Sequence, residues 1–323
     1  MKIIAEICQN HEGDFDTLIR MIDAAAEGGA SHIKIQHIFV RNLVYRPEFE
    51  QGLNQNGHVH AIQRPWRAEY DRLKGLELSE DECARFVEYV EALGLVPMTT
   101  CFCRGDIKRI ANQGYRNVKV ASYDCASFPM LRELASTFDT IYVSTGATYD
   151  AEVKHAADIL RQHAKNFSFL HCVTQYPTPL NAMHLNRIEW LRQFSDEVGF
   201  SDHSLVSRDG VIAAKAAIYS GADLIERHFT ILDPSETKDG PVSINKDDIQ
   251  NLLKFGQLSK DDQLSHLIDI HPEWKQMQGI VERRLSDEEI LNRNYYRGRF
   301  ATPRYDGAHG QAEMVFNWEE TPF

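Results

Sequence analysis

Eight short apolar runs alternate with helical patterns along this chain, and this alternation limits the possible folds more than any other feature. Each run has the length of a strand and is apolar almost throughout, which is typical of strands covered on both faces in parallel sheets. The runs are Lys2–Ile7, His32–Gln36, Val96–Thr100, Asn117–Ser122, Thr140–Thr145, Phe167–Cys172, Glu197–Asp202 and Asp223–Phe229.

The segments between the runs carry helix signals. Phe15–Gly29 has apolar residues at a helical spacing and ends in two glycines, while Ser79–Gly94 opens with a capping box and closes on a glycine. Ser207–Gly221 and Asn245–Gly256 have similar patterns. Strand–helix units in series predict an α/β fold, a (β/α)8 TIM barrel over residues 1–260. A doubly wound open sheet is the structural alternative, and the even number of units favours the barrel.

Composition narrows the function. The chain has 323 residues and a formal net charge of -12, which argues against binding to nucleic acid or to a membrane surface. No apolar run is long enough to span a membrane, and the opening stretch KIIAEI is too short and too soon acidic for a signal peptide. Six cysteines without a CxxC pair indicate reduced thiols. We therefore expect a cytoplasmic protein.

Polar residues follow or end the apolar runs. In barrels of this class the chemistry lies at the C-terminal ends of the strands. Residues able to bind an anion, hold a metal or move a proton collect at these ends, namely Glu6, Asn10, His11, Glu12, Lys34, Gln36, Thr100, Lys119, Ser122, Asp124, Ser144, His171, Thr174, Tyr176, Ser201, His203, Glu226 and His228. Each of them also has a structural explanation, since a serine or threonine can simply shape a turn and His171 is expected in the core. Together they predict an active site at this rim.

Two lysines and two histidines are the most informative of these residues. Lys34 and Lys119 lie inside apolar runs, so each is either partnered within the barrel or directed at a ligand anion. His203 and His228 follow the seventh and eighth runs, and we expect them to face each other across the barrel mouth. Two neutral imidazoles with oxygen ligands suit a transition metal such as Mn or Zn.

Eight motifs in order give the chain a family resemblance. They are IIAEICQNHEG, IKIQ, TTCF, VKVASYDCASFPML, VSTGA, LHCVTQYPTP, GFSDHS and IERHFT, and they run from Ile3 to about Ser243. In this order they resemble the sialic acid synthase family, whose members condense phosphoenolpyruvate with an amino-sugar aldehyde. The resemblance implies a condensation with an aldose that yields a 2-keto-3-deoxy sugar acid and phosphate, with C–O cleavage.

The resemblance also implies residue roles. His203 and His228 resemble the family's ligands for a divalent metal, which is expected to be Mn, with Mg, Co or Zn as alternatives. The residues at the family's phosphoenolpyruvate positions are Lys34, Thr100, Lys119, Ser122, Ser144, Thr174 and Ser201. Gln36, Asp124 and Tyr176 are further candidates for substrate binding. Glu12 and Asp239 stand where the family handles the sugar acceptor, and with Lys119 they form the predicted catalytic set, with Glu12 as the candidate acid or base.

The chain departs from the family pattern in three places. Cys103 and Arg104 follow Phe102, where the family has an aspartate, and of the family's GPDHKAS segment Asp239 and Ser243 align well. Family members usually carry a C-terminal antifreeze-like domain that covers a partner's barrel mouth, which implies a homodimer. Residues 261–323 are predicted to be a helix and an aromatic and arginine-rich tail instead, without that domain.

The tail leaves two interpretations open. It can cover the barrel mouth, with Arg297, Arg299 or Arg304 reaching the acceptor, or it can be a strap on the outer helices. The long connection from Val40 to Leu73 is likewise predicted to be a lid or a subunit contact.

Two other functions stay open at this point. One is an aldolase or another condensing enzyme acting on a different aldehyde, for which Lys119 is the available Schiff-base nucleophile. The other is a non-catalytic barrel that binds a sugar or a partner.

Overall fold

Eight parallel strands close into a barrel in the computed structural model, which describes residues 1–55, 57–282, 284–305 and 312–321. In chain order the strands are β1 Lys2–Cys8, β2 His32–Gln36, β3 Leu53–Gln55, β4 His58–Ala61, β5 Val96–Thr100, β6 Asn117–Val120, β7 Thr140–Ser144, β8 Asn166–Cys172, β9 Glu197–Asp202, β10 Leu224–His228, β11 Thr302–Tyr305 and β12 Ala312–Val315. The order around the barrel is β1-β10-β9-β8-β7-β6-β5-β2. The barrel prediction is confirmed, and each predicted run coincides with one barrel strand to within two residues.

Helices surround the barrel. They are α1 Phe15–Gly28, α2 Trp66–Leu76, α3 Glu80–Ala92, α4 Ile107–Asn112, α5 Phe128–Thr137, α6 Asp150–His163, α7 Arg187–Leu191, α8 Val206–Asp209, α9 Ile212–Tyr219, α10 Lys246–Gly256, α11 Lys260–Ile270 and α12 Asp287–Tyr296. The capping box that Ser79 and Glu82 predict is present at the start of α3. Gly29 ends α1 with a φ of 93°, a left-handed conformation that glycine adopts without strain. No helix in the described ranges is long and apolar enough to cross a membrane.

The barrel interior is apolar at one level and polar at the next. Ile4, Met98, Tyr142, Leu170 and Leu224 form a cluster inside the barrel. Because side chains alternate along a strand, the residue two positions later on each strand faces the same interior, closer to the C-terminal rim. Those residues are Glu6, Thr100, Ser144, Cys172 and Glu226. The sequence pattern thus builds an apolar floor under a polar layer.

The long connection after β2 packs against the chain's own tail. Leu43 forms a bridge with Phe300, and the Val44 amide donates to the Arg299 carbonyl at 3.0 Å. The Arg46 guanidinium donates to the carbonyls of Asn294 and Arg297, both at 3.2 Å. The described part of this connection thus contacts the tail of the same chain, and its role as a lid or a subunit contact stays a prediction.

The tail crosses the C-terminal ends of the strands. Arg293 in α12 donates to the Ala147 carbonyl at 2.6 Å, which ties the helix to the loop after β7. Farther along, Asn317 donates to the Phe102 carbonyl at 2.8 Å and to Asp124 Oδ1 at 3.0 Å. These contacts place the tail over the rim where the sequence predicts the site.

Candidate functional site

A cavity of about 450 Å³ opens at the C-terminal rim of the barrel. Its size is within the range of small-molecule sites. The predicted site residues that line it are Lys34, Gln36, Thr100, Lys119, Ser122, Ser144, Tyr176, Ser201, His203, His228 and Asp239. The structure thus brings most of the predicted set into one cavity.

Two buried glutamates balance the two buried lysines. Lys34 pairs with Glu6, and its Nζ lies 3.6 Å from Glu226 Oε1 and 3.2 Å from Thr100 Oγ1. The Nζ of Lys119 lies 3.6 Å from Glu226 Oε2. The lysines are therefore partnered within the barrel and also line the cavity. Both glutamates could be recognised in the sequence because each is a charged residue within an apolar run.

This network sets the charge at the cavity floor. Burial opposes ionisation of Glu226, but Lys119 and Lys34 together hold its pKa down at about 2. Burial lowers the pKa of Lys34 to about 7. Lys119 donates to Ser144 Oγ at 2.5 Å, and Ser201 Oγ donates to Glu226 Oε1 at 3.1 Å. Hydroxyl and ammonium donors are thus fixed around the floor.

The two predicted metal histidines lie side by side. The ring centroids of His203 and His228 are 5.4 Å apart. Burial lowers the pKa of both, and that of His203 falls well below its usual value, so both imidazoles are neutral at pH 7. Neutral imidazole is the form that binds a metal. The buried Nδ1 of His228 has no hydrogen-bond partner among the described residues.

A third group beside His228 was not predicted. Cys8 Sγ lies 3.3 Å from Asp239 Oδ2, and one ligand atom from each of Cys8, His228 and Asp239 lies within 4.8 Å of the others. Thiolate, imidazole and carboxylate are all ligands of divalent transition metals. Among the described residues, Cys8, His228 and Asp239 therefore fit a divalent ion, and His203 lies beside this group but outside it. Nothing in the sequence around Cys8, the last residue of β1, indicated a metal ligand.

Three of the residues with a predicted catalytic, substrate or metal role lie outside the lining of the central cavity, as do Asn10, His11 and His171 of the predicted rim. Glu12 lines an adjoining cavity of about 270 Å³ together with Arg72, Lys238 and Asp239. Asp124 accepts from Asn317 and Ser127, and burial raises its pKa to about 6.

Thr174 is the third. Its Oγ1 is buried without a partner in the described part of the chain, and its carbonyl accepts from Asn292 at 2.9 Å. Asp124 and Thr174 thus contact the tail rather than the cavity.

Cationic side chains from outside the barrel strands also line the central cavity, and the sequence did not predict them as a group. Of the three tail arginines, Arg299 lines the central cavity and pairs with Glu69. The Arg297 guanidinium packs on Trp318, 4.9 Å from the ring centroid, and Arg304 pairs with an exposed carboxylate in the hairpin of β11 and β12. Arg64, Arg72 and Lys238 also line the cavity, with Asn292 and Tyr296 of α12.

Comparison with known proteins finds similar chains. The pattern that defines the NeuB family matches residues 21–260. An uncharacterised protein of Methanocaldococcus jannaschii is 31% identical over 257 residues, which cover 78% of this chain and 68% of that protein. N,N'-diacetyllegionaminic acid synthase of Legionella pneumophila is 29% identical, covering 78% of this chain and 70% of the synthase.

A human protein and a solved structure extend the similarity. Human N-acetylneuraminate-9-phosphate synthase is 28% identical, covering 79% of this chain and 69% of the human protein. The crystal structure of N-acetylneuraminic acid synthetase from Leptospira borgpetersenii matches with a TM-score of 0.65 and 25% identity, covering 90% of each chain.

Proposed function

The chain belongs to the NeuB family, and from this premise we propose that it condenses phosphoenolpyruvate with an aldose of the amino-sugar class. It is a phosphoenolpyruvate-dependent enzyme that forms a carbon–carbon bond. The observation that carries the finer proposal is the meeting of Lys34, Lys119, His203 and His228 in one cavity. Its six free cysteines are consistent with action in the cytoplasm.

Phosphoenolpyruvate is assigned to the floor of the cavity. Lys34 and Lys119 supply positive charge, and the hydroxyl groups of Thr100 and Ser144 accept from these lysines and keep their own hydrogens for the ligand. The glutamates keep the empty floor close to neutral, so the lysines are oriented before the anion arrives.

A divalent ion is assigned to the histidine pair. His203 and His228 would hold it, with Asp239 and Cys8 as the additional ligands beside His228. Bound there, the ion supplies Lewis-acid polarisation of the acceptor carbonyl. Asp239 lines the central cavity and Glu12 does not, so we assign the contact with the acceptor to Asp239 rather than to Glu12.

The reaction balances as follows. C3 of phosphoenolpyruvate forms a bond to the acceptor carbonyl carbon, and the aldehyde oxygen takes a proton to become a hydroxyl. Water adds to the cationic C2, the bond between C2 and the bridging oxygen breaks, and phosphate leaves with that oxygen. The remaining oxygen on C2 becomes the keto group. The floor residues hold the phosphate and carboxylate during these steps, and the tail limits the access of bulk water.

The test follows the bridging oxygen. Phosphoenolpyruvate labelled with ¹⁸O at the bridging position is incubated with the full-length enzyme, Mn²⁺ and a panel of aldoses and N-acetylated amino sugars. We expect phosphate release that depends on one of these sugars, with the label wholly in phosphate. Release of unlabelled phosphate, or release that does not depend on any sugar, contradicts the proposal.

A further inference from the structure

Four cationic side chains meet at the outer part of the central cavity. Arg64 precedes α2, Arg72 lies within α2, Lys238 lies in the loop after β10, and Arg299 follows α12. All four come from loops or helices rather than from the barrel strands. This group is therefore separate in the fold from the lysines of the cavity floor.

The neighbouring carboxylate does not match all four charges. Glu69 accepts from Arg72 through both oxygens, at 3.0 and 2.9 Å, and pairs with Arg299 as well. Neither Arg64 nor Lys238 has a carboxylate within 4.0 Å in the part of the chain that the structure describes. The buried Nε of Arg299 also has no acceptor among those residues. Arg64 and Lys238 thus have no carboxylate in direct contact among the described residues, while Asp239 in the same cavity acts on Arg72 at longer range.

The four charges also act on one another. Desolvation lowers the pKa of Lys238, and the positive charge of Arg72, followed by those of Arg64 and Arg299, lowers it further, while Glu69 opposes them. Like charges gathered at one place raise the free energy of the empty site. A bound anion relieves this repulsion, and the planar guanidinium groups match the paired oxygens of a phosphate or carboxylate.

We propose that this cluster binds an anionic group of the acceptor, a phosphate or a carboxylate, at the end of the sugar away from its aldehyde. The inference rests on the condensing function above and deepens it, because it limits the acceptor to sugar phosphates or sugar acids. The floor lysines are occupied by phosphoenolpyruvate, the histidine pair takes the carbonyl end, and the cluster borders the same cavity of about 450 Å³. An acceptor that spans from the histidines to the cluster has its carbonyl end at the histidines and its anionic group among the cationic side chains.

Unreactive probes test the cluster without turnover. The probes are N-acetylmannosamine, its 6-phosphate and its uronate, each reduced at C1 so that no aldehyde remains. Their dissociation constants are measured by calorimetry on the full-length enzyme with Mn²⁺ and saturating phosphoenolpyruvate. We expect one of the two anionic probes to bind at least tenfold more tightly than the neutral one. Whether the 6-phosphate or the uronate binds more tightly shows which anionic group the cluster prefers.

Substitutions locate the effect. Lys238→Gln and Arg64→Gln are each expected to raise the dissociation constant of the preferred anionic probe about tenfold. The dissociation constants of the neutral probe and of phosphoenolpyruvate should stay unchanged. Lys108→Gln, an exposed lysine in α4, is the matched control and is expected to change nothing.

Three results overturn the inference. They are equal binding of neutral and anionic probes, no binding of any anionic probe, and an equal loss of phosphoenolpyruvate affinity in Lys238→Gln, which would assign the cluster to that substrate. Its failure is distinguishable from failure of the condensing function, which is judged by sugar-dependent phosphate release alone.

Discussion

At the scale of single residues, the cavity floor combines two lysines with two glutamates that nearly cancel them. Lys119 shares Glu226 with Lys34, and all three are buried. Removal of a partner from a buried ion pair leaves a charge uncompensated, but here the second lysine still faces Glu226. The loss of one lysine should therefore affect ligand binding more than folding.

Lys119→Ala is expected to weaken phosphoenolpyruvate binding tenfold or more. A charge-assisted hydrogen bond contributes about 1.5–3 kcal/mol, and Lys119 supplies such donors at the floor. The dissociation constant is measured by calorimetry beside Lys108→Ala, whose exposed lysine lies outside the cavity. An unchanged constant in Lys119→Ala would make the lysine a structural partner of Glu226 and nothing more.

Cys8→Ser tests the thiol beside the histidine pair. Cobalt bound by a thiolate absorbs in the near ultraviolet through charge transfer from sulfur, and serine cannot supply this band. We expect the band in the cobalt-loaded protein, its loss in Cys8→Ser, and its retention in Cys172→Ser, whose sulfur lies 3.8 Å from His203 Nδ1. A band that persists in Cys8→Ser would remove Cys8 from the ligands.

Asp124 predicts a pH dependence of stability. Its pKa is raised by burial from 3.8 to about 6, so the folded state holds a proton that the unfolded state releases between these values. Stability from this group is therefore present at low pH and is lost as the pH rises through about 6. Relative to Asp124→Asn, the natural protein should gain about 1 kcal/mol of unfolding free energy between pH 7.5 and pH 5.

Urea unfolding at the two pH values measures this difference. Asp71→Asn, at an exposed position in α2, is the control and should show no such change. A constant difference between the natural protein and Asp124→Asn across this range would show that Asp124 does not titrate there.

At the scale of elements, the strands were predictable, whereas the contacts of the covering segments were not. A barrel strand is buried on both sides, so its apolar run is visible in the sequence, and the polar residues at its end follow from the direction of the parallel strands. Lys34 and His228 could be located in this way. Asp124 lies at such an end too, but the tail covers it, and nothing local in the sequence carries that information.

The cationic cluster shows the same limit. Arg72, Lys238 and Arg299 lie far apart in the sequence, and a charged residue on a helix or loop has no distinguishing pattern. Arg72 and Arg299 meet because the connection after β2 packs on the tail through Leu43 and Phe300, and Lys238 joins them from the loop after β10. Contacts between two irregular segments depend on tertiary packing, which neither segment encodes alone.

At the scale of the whole molecule, the net charge of -12 and the cationic cavity act in opposite directions. The long-range field of the protein repels anionic substrates, so affinity has to come from short-range contacts in a desolvated cavity. A cover over the mouth strengthens such contacts by excluding water. Removal of the tail should therefore affect binding in the cavity as well as stability.

Two truncations separate these effects. A chain ended after Ala301 keeps Tyr296 and Arg299 at the cavity but loses Asn317, which bonds to Asp124 and Phe102. We expect a lower melting temperature with little change in the KM for the acceptor. A chain ended after Asn292 also loses the cavity residues, so it should lose more stability and show a KM for the acceptor at least tenfold higher, with phosphoenolpyruvate affinity kept.

Point variants keep this prediction testable if the shorter chain does not fold. Tyr296 stacks on Tyr123 at 5.4 Å between ring centroids, and both rings line the cavity. Arg299→Ala removes the ion pair between the tail and α2, but Glu69 keeps its pair with Arg72 of the same helix, so no buried carboxylate is left without a partner. Full-length Tyr296→Ala and Arg299→Ala should each raise the KM for the acceptor several-fold while the melting temperature changes little. If every truncation and variant lowers the melting temperature but leaves that KM unchanged, the tail is a strap on the barrel and the acceptor site is open to solvent.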